Sequence, residues 1–213
     1  MKIIKQSTEN EMIYEFLKME IASIRYAEQI KSILDELHLS TEIITNGNIL
    51  SQQENAARAE MLNRFRGYGR NEELFTNYPA SVNWVWAIFG NEDIEKIKYI
   101  EYSYWNELSN YTGSPAEAAK TIRAGKTIYD VPNDGFLIAA QKLKNGCTFP
   151  PLICLTDETE SRYILLEGHL RMTAYALEPE FFQNVSVLVG YCSGEALDKW
   201  YGVMPKQSKG ESL

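Results

Sequence analysis

The chain has 213 residues, of which 45% are hydrophobic and 12% aromatic, and this composition is enough for one well-buried core. The formal net charge is −8 and the isoelectric point is about 5.0, so the surface as a whole is not built to neutralise a phosphate backbone, and nucleic acid is a disfavoured partner. No apolar run approaches the roughly 20 residues that a membrane helix needs, which excludes membrane spanning.

The expected location is the cytoplasm. Residues 1–6 lack the apolar core of a signal peptide. The three cysteines, Cys147, Cys154 and Cys192, are odd in number and irregularly spaced, as expected for reduced thiols in a cytoplasmic protein. No paired Cys-x-x-Cys or His-Glu-x-x-His motif is present, so a zinc site is not expected, and neither haem nor flavin is predicted.

The first predicted element is a long amphipathic helix. Thr8 begins a Thr-x-x-Glu capping box that Glu11 closes. A helix of about 30 residues is long for a globular protein, so the pattern allows one break. Apolar residues follow at spacings of mostly three and four, which describe one helix face: Ile13, Phe16, Leu17, Ile24, Ala27, Ile30, Leu34 and Leu37.

A second helix is predicted after the turn signal at residues 46–47. Ser51 and Glu54 form another capping box, and Gly67 is expected to end the helix. Residues 1–75 are therefore predicted to form a mainly helical N-terminal region.

The pattern changes after this region. Residues 84–89 are apolar on both faces and predict a buried strand. Residues 96–100 begin with alternation and predict a strand that meets water on one side. Ser114 is a helix cap followed by a proline, and the helix that it opens should end at Gly125. Another helix is predicted over residues 135–144.

The last third predicts two strands joined closely to a helix. Strands are expected over residues 152–155, 163–166 and 185–189. Helices are expected over residues 170–177 and 195–201. The fold class is therefore α+β, with residues 76–204 as a second domain and residues 205–213 as a flexible tail.

The most informative stretch is the turn at residues 167–171, where a buried strand meets a helix through Gly168. The first amides of a helix lack internal partners and lie at the positive end of its dipole, so this turn is suited to binding an anion with the backbone of Gly168 and Leu170. Arg171 can donate to a phosphate. His169 can donate a hydrogen bond or move a proton, and Glu167 can accept a proton or hold Mg²⁺ beside a phosphate.

The alternative interpretation of this turn is an ordinary strand-turn-helix corner. Glu167 would then cap backbone amides and Arg171 would pair with a surface acid. The motif is short and its residue types are common, so spacing alone leaves both interpretations open.

Residues 150–155, with their Pro-Pro start, and residues 163–176 together resemble the centre of the ParB/sulfiredoxin superfamily. That superfamily has a helix ending in glycine, a Pro-Pro strand, a strand ending in an acid and glycine, a phosphate-binding turn with arginine, and a following helix and strand. The resemblance covers about half of the chain. It implies a ParB/sulfiredoxin-like mixed β-sheet domain on which the helical N-terminal region packs.

The turn departs from two branches of that superfamily. ParB nucleotidases have a Gly-Glu-Arg-Arg turn, whereas His169 and Leu170 occupy its second and third positions here. Sulfiredoxins place a reactive cysteine where this chain has His169. The most similar variant is the Asp-Gly-His-x-Arg turn of free-serine kinases of this fold, with Glu167 in place of the aspartate. That resemblance implies Glu167 as the catalytic base.

A second basic cluster lies at the end of the second helix. Arg64, Arg66 and Arg70 fall within seven residues that also hold two glycines. They are predicted to close over phosphates bound by the other domain. The alternative is a basic helix end that complements the helix dipole and faces solvent.

Three functions follow as hypotheses. The first is a nucleotide- or phosphate-binding enzyme that transfers or hydrolyses phosphoryl groups, with a nucleotide and Mg²⁺ as cofactors and Glu167 and His169 as catalytic residues. The second is a non-catalytic binding or regulatory module for a protein or nucleic-acid partner. The third is a nuclease.

Overall fold

The structure is a computed structural model and describes residues 1–202; the tail predicted over residues 205–213 lies outside them. The strands are β1 Lys2–Gln6, β2 Asn83–Phe89, β3 Ile97–Lys98, β4 Leu152–Thr156, β5 Tyr163–Glu167 and β6 Val185–Tyr191. The α-helices are α1 Glu9–Ile21, α2 Ala27–Glu36, α3 Glu42–Thr45, α4 Gln52–Arg66, α5 Ser103–Leu108, α6 Pro115–Arg123, α7 Asp134–Lys144, α8 His169–Leu177 and α9 Gly194–Tyr201.

The six strands form one mixed sheet in the order β1-β2-β6-β4-β5-β3. The pairs β1–β2, β2–β6 and β4–β5 are antiparallel, whereas β6–β4 and β3–β5 are parallel. Strand β4 is buried along its whole length, which explains why its sequence is continuously apolar instead of alternating. The predicted α+β class is confirmed.

Thr8 caps the start of α1 as predicted, because the Glu11 backbone N–H donates to Thr8 Oγ1 over 3.2 Å. The Glu11 side chain does not close the predicted capping box, since its carboxylate accepts from Ser7 Oγ and Lys5 Nζ instead. The helix ends at Ile21 and α2 starts at Ala27, so the predicted break is confirmed. In contrast, the prediction that Ile24 lies on the apolar helix face is wrong. Ile24 is fully exposed, because it lies in the connection between the two helices.

Helix α4 is also bounded by the predicted residues. The Glu54 N–H donates to Ser51 Oγ at the start, and Gly67 adopts φ 77° at the end, a left-handed conformation that glycine adopts at low cost. Arg66 is therefore held at a defined helix terminus.

The helical region and the sheet share one hydrophobic core. Phe16 of α1 packs against Phe75, with ring centroids 6.4 Å apart. The indole N–H of Trp200 in α9 donates to the Leu74 carbonyl over 2.9 Å. Because the apolar side chains of both regions belong to one buried cluster, the last turns of α1 and α4 keep a fixed position beside the sheet.

Four elements differ from the sequence predictions. The strand predicted over residues 96–100 covers only Ile97–Lys98, and the Tyr99 N–H donates to the Gly113 carbonyl instead of continuing the ladder. Strand β1 and helices α3 and α5 were not predicted. The residues of β1 are all exposed, so this edge strand has no buried face to produce an alternating pattern. Within residues 1–202, no helix combines the length and the apolar character needed to cross a bilayer.

Candidate functional site

A cavity of about 230 Å³ lies where the helical region meets the β5–α8 turn. Its walls come from the last turns of α1 and α4, the α1–α2 connection, α5 with the residues before it, and the start of α8. Six of its residues carry polar side chains that can interact with a ligand: Glu20, Ser23, Arg25, Arg66, Glu167 and His169. Residues from both halves of the chain therefore form one candidate site.

The β5–α8 turn has the strand–glycine–helix geometry that the sequence predicts. Strand β5 ends at Glu167 and α8 starts at His169, with Gly168 between them at φ 106°. A Cβ atom at this position would lie 2.6 Å from Leu152 Cδ2 and 3.0 Å from Arg171 Nη2, so glycine is required here. Because glycine has no side chain to cap the helix, the first amides of α8 have no side-chain acceptor.

Arg171 is folded back over this turn. Its guanidinium forms an ion pair with the Glu167 carboxylate, and its side chain is only 12% exposed. Neither Arg171 nor Gly168 lines the cavity, although both were predicted to bind phosphate directly. The positive charge of Arg171 thus lies behind Glu167, whose side chain lines the cavity. This pairing matches part of the alternative interpretation, in which the arginine binds an acid of the protein.

His169 is held in an aromatic stack. Its ring lies 5.0 Å from the ring of Trp105 and 5.8 Å from that of Tyr99, at interplanar angles of 26° and 19°. Burial, followed by the charges of Arg66 and Arg171, lowers the pKa of His169 to about 3. The imidazole is therefore neutral near pH 7, and its Nε2 is buried without a partner among residues 1–202. The geometry favours hydrogen bonding by His169 over the proton transfer that the sequence suggests.

Glu20 is a cavity residue that the sequence analysis did not single out. It lies on the last turn of α1, is 7% exposed, and has no hydrogen-bond or ion-pair partner in the part of the chain that the structure describes. Burial, and then the nearby Glu167, raise the pKa of Glu20 to about 8, although Arg66, Arg171 and Arg25 oppose this shift. Burial also raises the pKa of Glu167. Burial therefore favours the protonated form of the Glu20 carboxyl group.

Two arginines bring positive charge to the cavity, which Glu20 and Glu167 also line. The guanidinium of Arg25 lies 4.4 Å from the ring centroid of Tyr26, and that of Arg66 lies 5.5 Å from the same centroid. The Nε of Arg66 is buried and has no partner among residues 1–202. Within those residues neither arginine is ion-paired with an acid, so their charges are left for a ligand.

The three arginines of the predicted basic cluster separate in the structure. Arg66 lines the cavity, but Arg64 and Arg70 do not. Arg64 Nε lies 2.7 Å from Glu60 Oε1, and Arg64 Nη1 lies 3.3 Å from Glu36 Oε2. Arg70 is exposed in the segment after α4. Arg64 and Arg70 therefore agree with the alternative interpretation, in which the basic residues face solvent. For Arg66, closing over a bound phosphate stays a prediction.

Glu20 and Glu167 are the carboxylates of the cavity lining. The Mg²⁺ ion expected at Glu167 beside a phosphate stays a prediction, since Mg²⁺ at such sites is commonly held by one or two carboxylates together with the phosphates. Within residues 1–202 no group of three or more His, Cys, Asp and Glu side chains is arranged to hold a metal ion.

Comparisons of the chain with protein-family models, with curated proteins and with solved structures found no match. The resemblance to the ParB/sulfiredoxin superfamily therefore depends on the motif at residues 150–176 and remains a prediction.

Four cavity residues near the break between α1 and α2 escaped the sequence analysis, namely Glu20, Ser23, Arg25 and Tyr26. They lie at the break between α1 and α2, more than 130 positions before the β5–α8 turn in the sequence, so no local pattern connects them with it. The one available signal was the break itself, because residues between two helices are free to line a cavity.

Proposed function

We propose that the cavity binds a nucleotide or another phosphorylated small molecule. The observation that carries the proposal is the pair of guanidinium groups, on Arg25 and Arg66, that line the cavity without an acidic partner within residues 1–202. Arginine forms charge-assisted hydrogen bonds with phosphate oxygens. The start of α8 borders the same cavity and adds amides without a side-chain cap.

The other walls favour a ligand that also contains a flat ring. Four aromatic side chains line the cavity, and aromatic faces bind planar rings by stacking. The aromatic lining consists of Phe16, Tyr26, Tyr102 and Trp105.

The binding test is calorimetry with ATP, ADP, CTP and GTP, with and without Mg²⁺. We expect Arg66→Ala to weaken binding of the preferred nucleotide at least about tenfold, since a hydrogen bond to a charged group contributes about 1.5 to 3 kcal/mol. Arg64→Ala is the matched control, because Arg64 belongs to the same helix and lies outside the cavity. It should change the affinity less than about twofold.

Two outcomes would contradict this proposal. One is the absence of binding heat with all four nucleotides. The other is equal loss of affinity in Arg66→Ala and Arg64→Ala, which would mean that binding depends on general surface charge.

Phosphoryl transfer or hydrolysis on the bound nucleotide is the second candidate function. It is favoured by the two carboxyl groups in the cavity, Glu20 and Glu167, whose pKa values are both raised. A carboxyl group with a pKa close to the working pH is suited to acid–base catalysis. Release of inorganic phosphate from the bound nucleotide would support this candidate. Binding without any phosphate release would instead favour the non-catalytic regulatory module.

A further inference from the structure

Glu20 is an acid placed where the proposed ligand is an anion. Its side chain is 7% exposed and lines the same cavity as Arg25 and Arg66. Yet neither arginine forms an ion pair with it, and no hydrogen-bond donor among residues 1–202 reaches its carboxyl group. The carboxyl oxygens of Glu20 are not among the fully buried atoms that lack a partner, so they reach the open space of the cavity, where a ligand can approach them.

The charged and titratable groups around Glu20 come from several elements. Glu167 of β5 adds a negative charge that opposes ionisation, while Arg66 of α4, Arg171 of α8 and Arg25 of the α1–α2 connection favour it. His169 is neutral over this range, because burial and the two nearby arginines lower its pKa to about 3.

The two tyrosines of the cavity do not change this balance near neutral pH. Burial raises the pKa values of both Tyr26 and Tyr102 above their ordinary value of about 10. Glu20, whose raised pKa is about 8, is therefore the cavity residue expected to change its charge between about pH 7 and about pH 9.5.

We infer that Glu20 binds the anionic group of the ligand as a neutral carboxylic acid that donates its proton in a hydrogen bond, so that ligand binding is coupled to retention of this proton. The inference rests on the proposed binding function and adds to it the residue that makes binding depend on pH.

The reason is the chemistry of the two partners. Phosphate oxygens accept hydrogen bonds, and a protonated carboxyl group has one O–H to donate. An ionised Glu20 would instead place a negative charge beside the phosphate and repel it. Because a bound anion also favours the protonated form of Glu20, ligand and proton stabilise each other in the cavity.

The test measures the affinity of the tightest-binding nucleotide among ATP, ADP and CTP at about pH 7.5 and about pH 9.5. The terminal phosphates of these probes titrate near about pH 6, so their charge is constant over this range. With the pKa of Glu20 at about 8, the wild-type protein should lose about tenfold to twentyfold in affinity.

Two variants separate hydrogen-bond donation from the other roles of Glu20. Glu20→Gln keeps a hydrogen-bond donor of similar shape that does not ionise. The affinity of this variant for the nucleotide should stay within about threefold of the wild-type affinity at about pH 7.5. It should change less than about twofold between about pH 7.5 and about pH 9.5. Glu20→Ala has no donor and should bind at least about fivefold more weakly than Glu20→Gln at both pH values.

The outcomes distinguish this inference from the proposed function. If no nucleotide binds to the wild-type protein, both fail. If nucleotide binds and Glu20→Gln keeps the wild-type pH dependence, or binds as weakly as Glu20→Ala at about pH 7.5, the inference alone is overturned. Cooperative unfolding of each variant, followed by circular dichroism, verifies that the compared proteins are folded.

Discussion

Replacement of Arg58 by methionine is expected to lower the free energy of unfolding by about 3 to 5 kcal/mol. Arg58 is fully buried on α4. Its Nη1 donates to the Ile43 carbonyl over 2.8 Å, and its Nη2 donates to the Asn48 carbonyl over 3.0 Å. It also forms an ion pair with Glu54. Methionine keeps most of the side-chain volume but leaves these partly buried carbonyl groups without their donor and Glu54 without its partner.

The measurement for Arg58→Met is urea-induced unfolding at neutral pH. Arg64→Met is the control, since Arg64 lies six residues later on the same helix and its ion pairs are exposed; it should change stability by less than about 1 kcal/mol. A loss below about 1 kcal/mol for Arg58→Met would show that the loop between α3 and α4 does not depend on this guanidinium.

Replacement of Glu20 by glutamine is expected to stabilise the protein by about 2 to 4 kcal/mol at about pH 8. Folding raises the pKa of Glu20 from 4.5 to about 8. Between these values the folded state holds a proton that the unfolded state has released, so the stability of the wild-type protein falls as the pH rises. Glutamine has no such proton, and the variant therefore gains relative to wild type across this window.

Urea unfolding of both proteins from about pH 4.5 to about pH 8.5 measures this difference. It should be near zero at the acidic end, grow with pH, and level off above about pH 8. Glu28→Gln is the exposed control on α2 and should show no comparable growth. A difference between wild type and Glu20→Gln that stays constant with pH would mean that Glu20 is ionised in the folded protein.

Local signals in the sequence predict much of the fold. The caps at Thr8 and Ser51 and the stop at Gly67 act over a few residues, and each appears where the pattern places it. Strand β1 gives no such signal, because its position is decided by pairing with β2, more than 70 residues away. For the same reason, the shortening of β3 follows from the contact of Tyr99 with Gly113 and not from its own residue pattern.

The candidate site was only partly predictable. The turn around Gly168 has a local signature, and the structure has that turn. The arginine expected to face a ligand, Arg171, instead pairs with Glu167 four residues earlier. Arg66 was singled out by its charge in an acidic chain, but Glu20 was not, since one glutamate on an amphipathic helix is unremarkable. Its burial beside Glu167 is a tertiary contact that no sequence pattern encodes.

The most direct test of a phosphate-binding cavity is a crystal structure of the protein soaked with its preferred nucleotide. We expect difference density for a phosphate group within hydrogen-bond distance of Arg66 and Glu20, and for the base against the ring of Trp105 or Tyr26. Density for the nucleotide only at a remote surface, with the cavity filled by water, would contradict it.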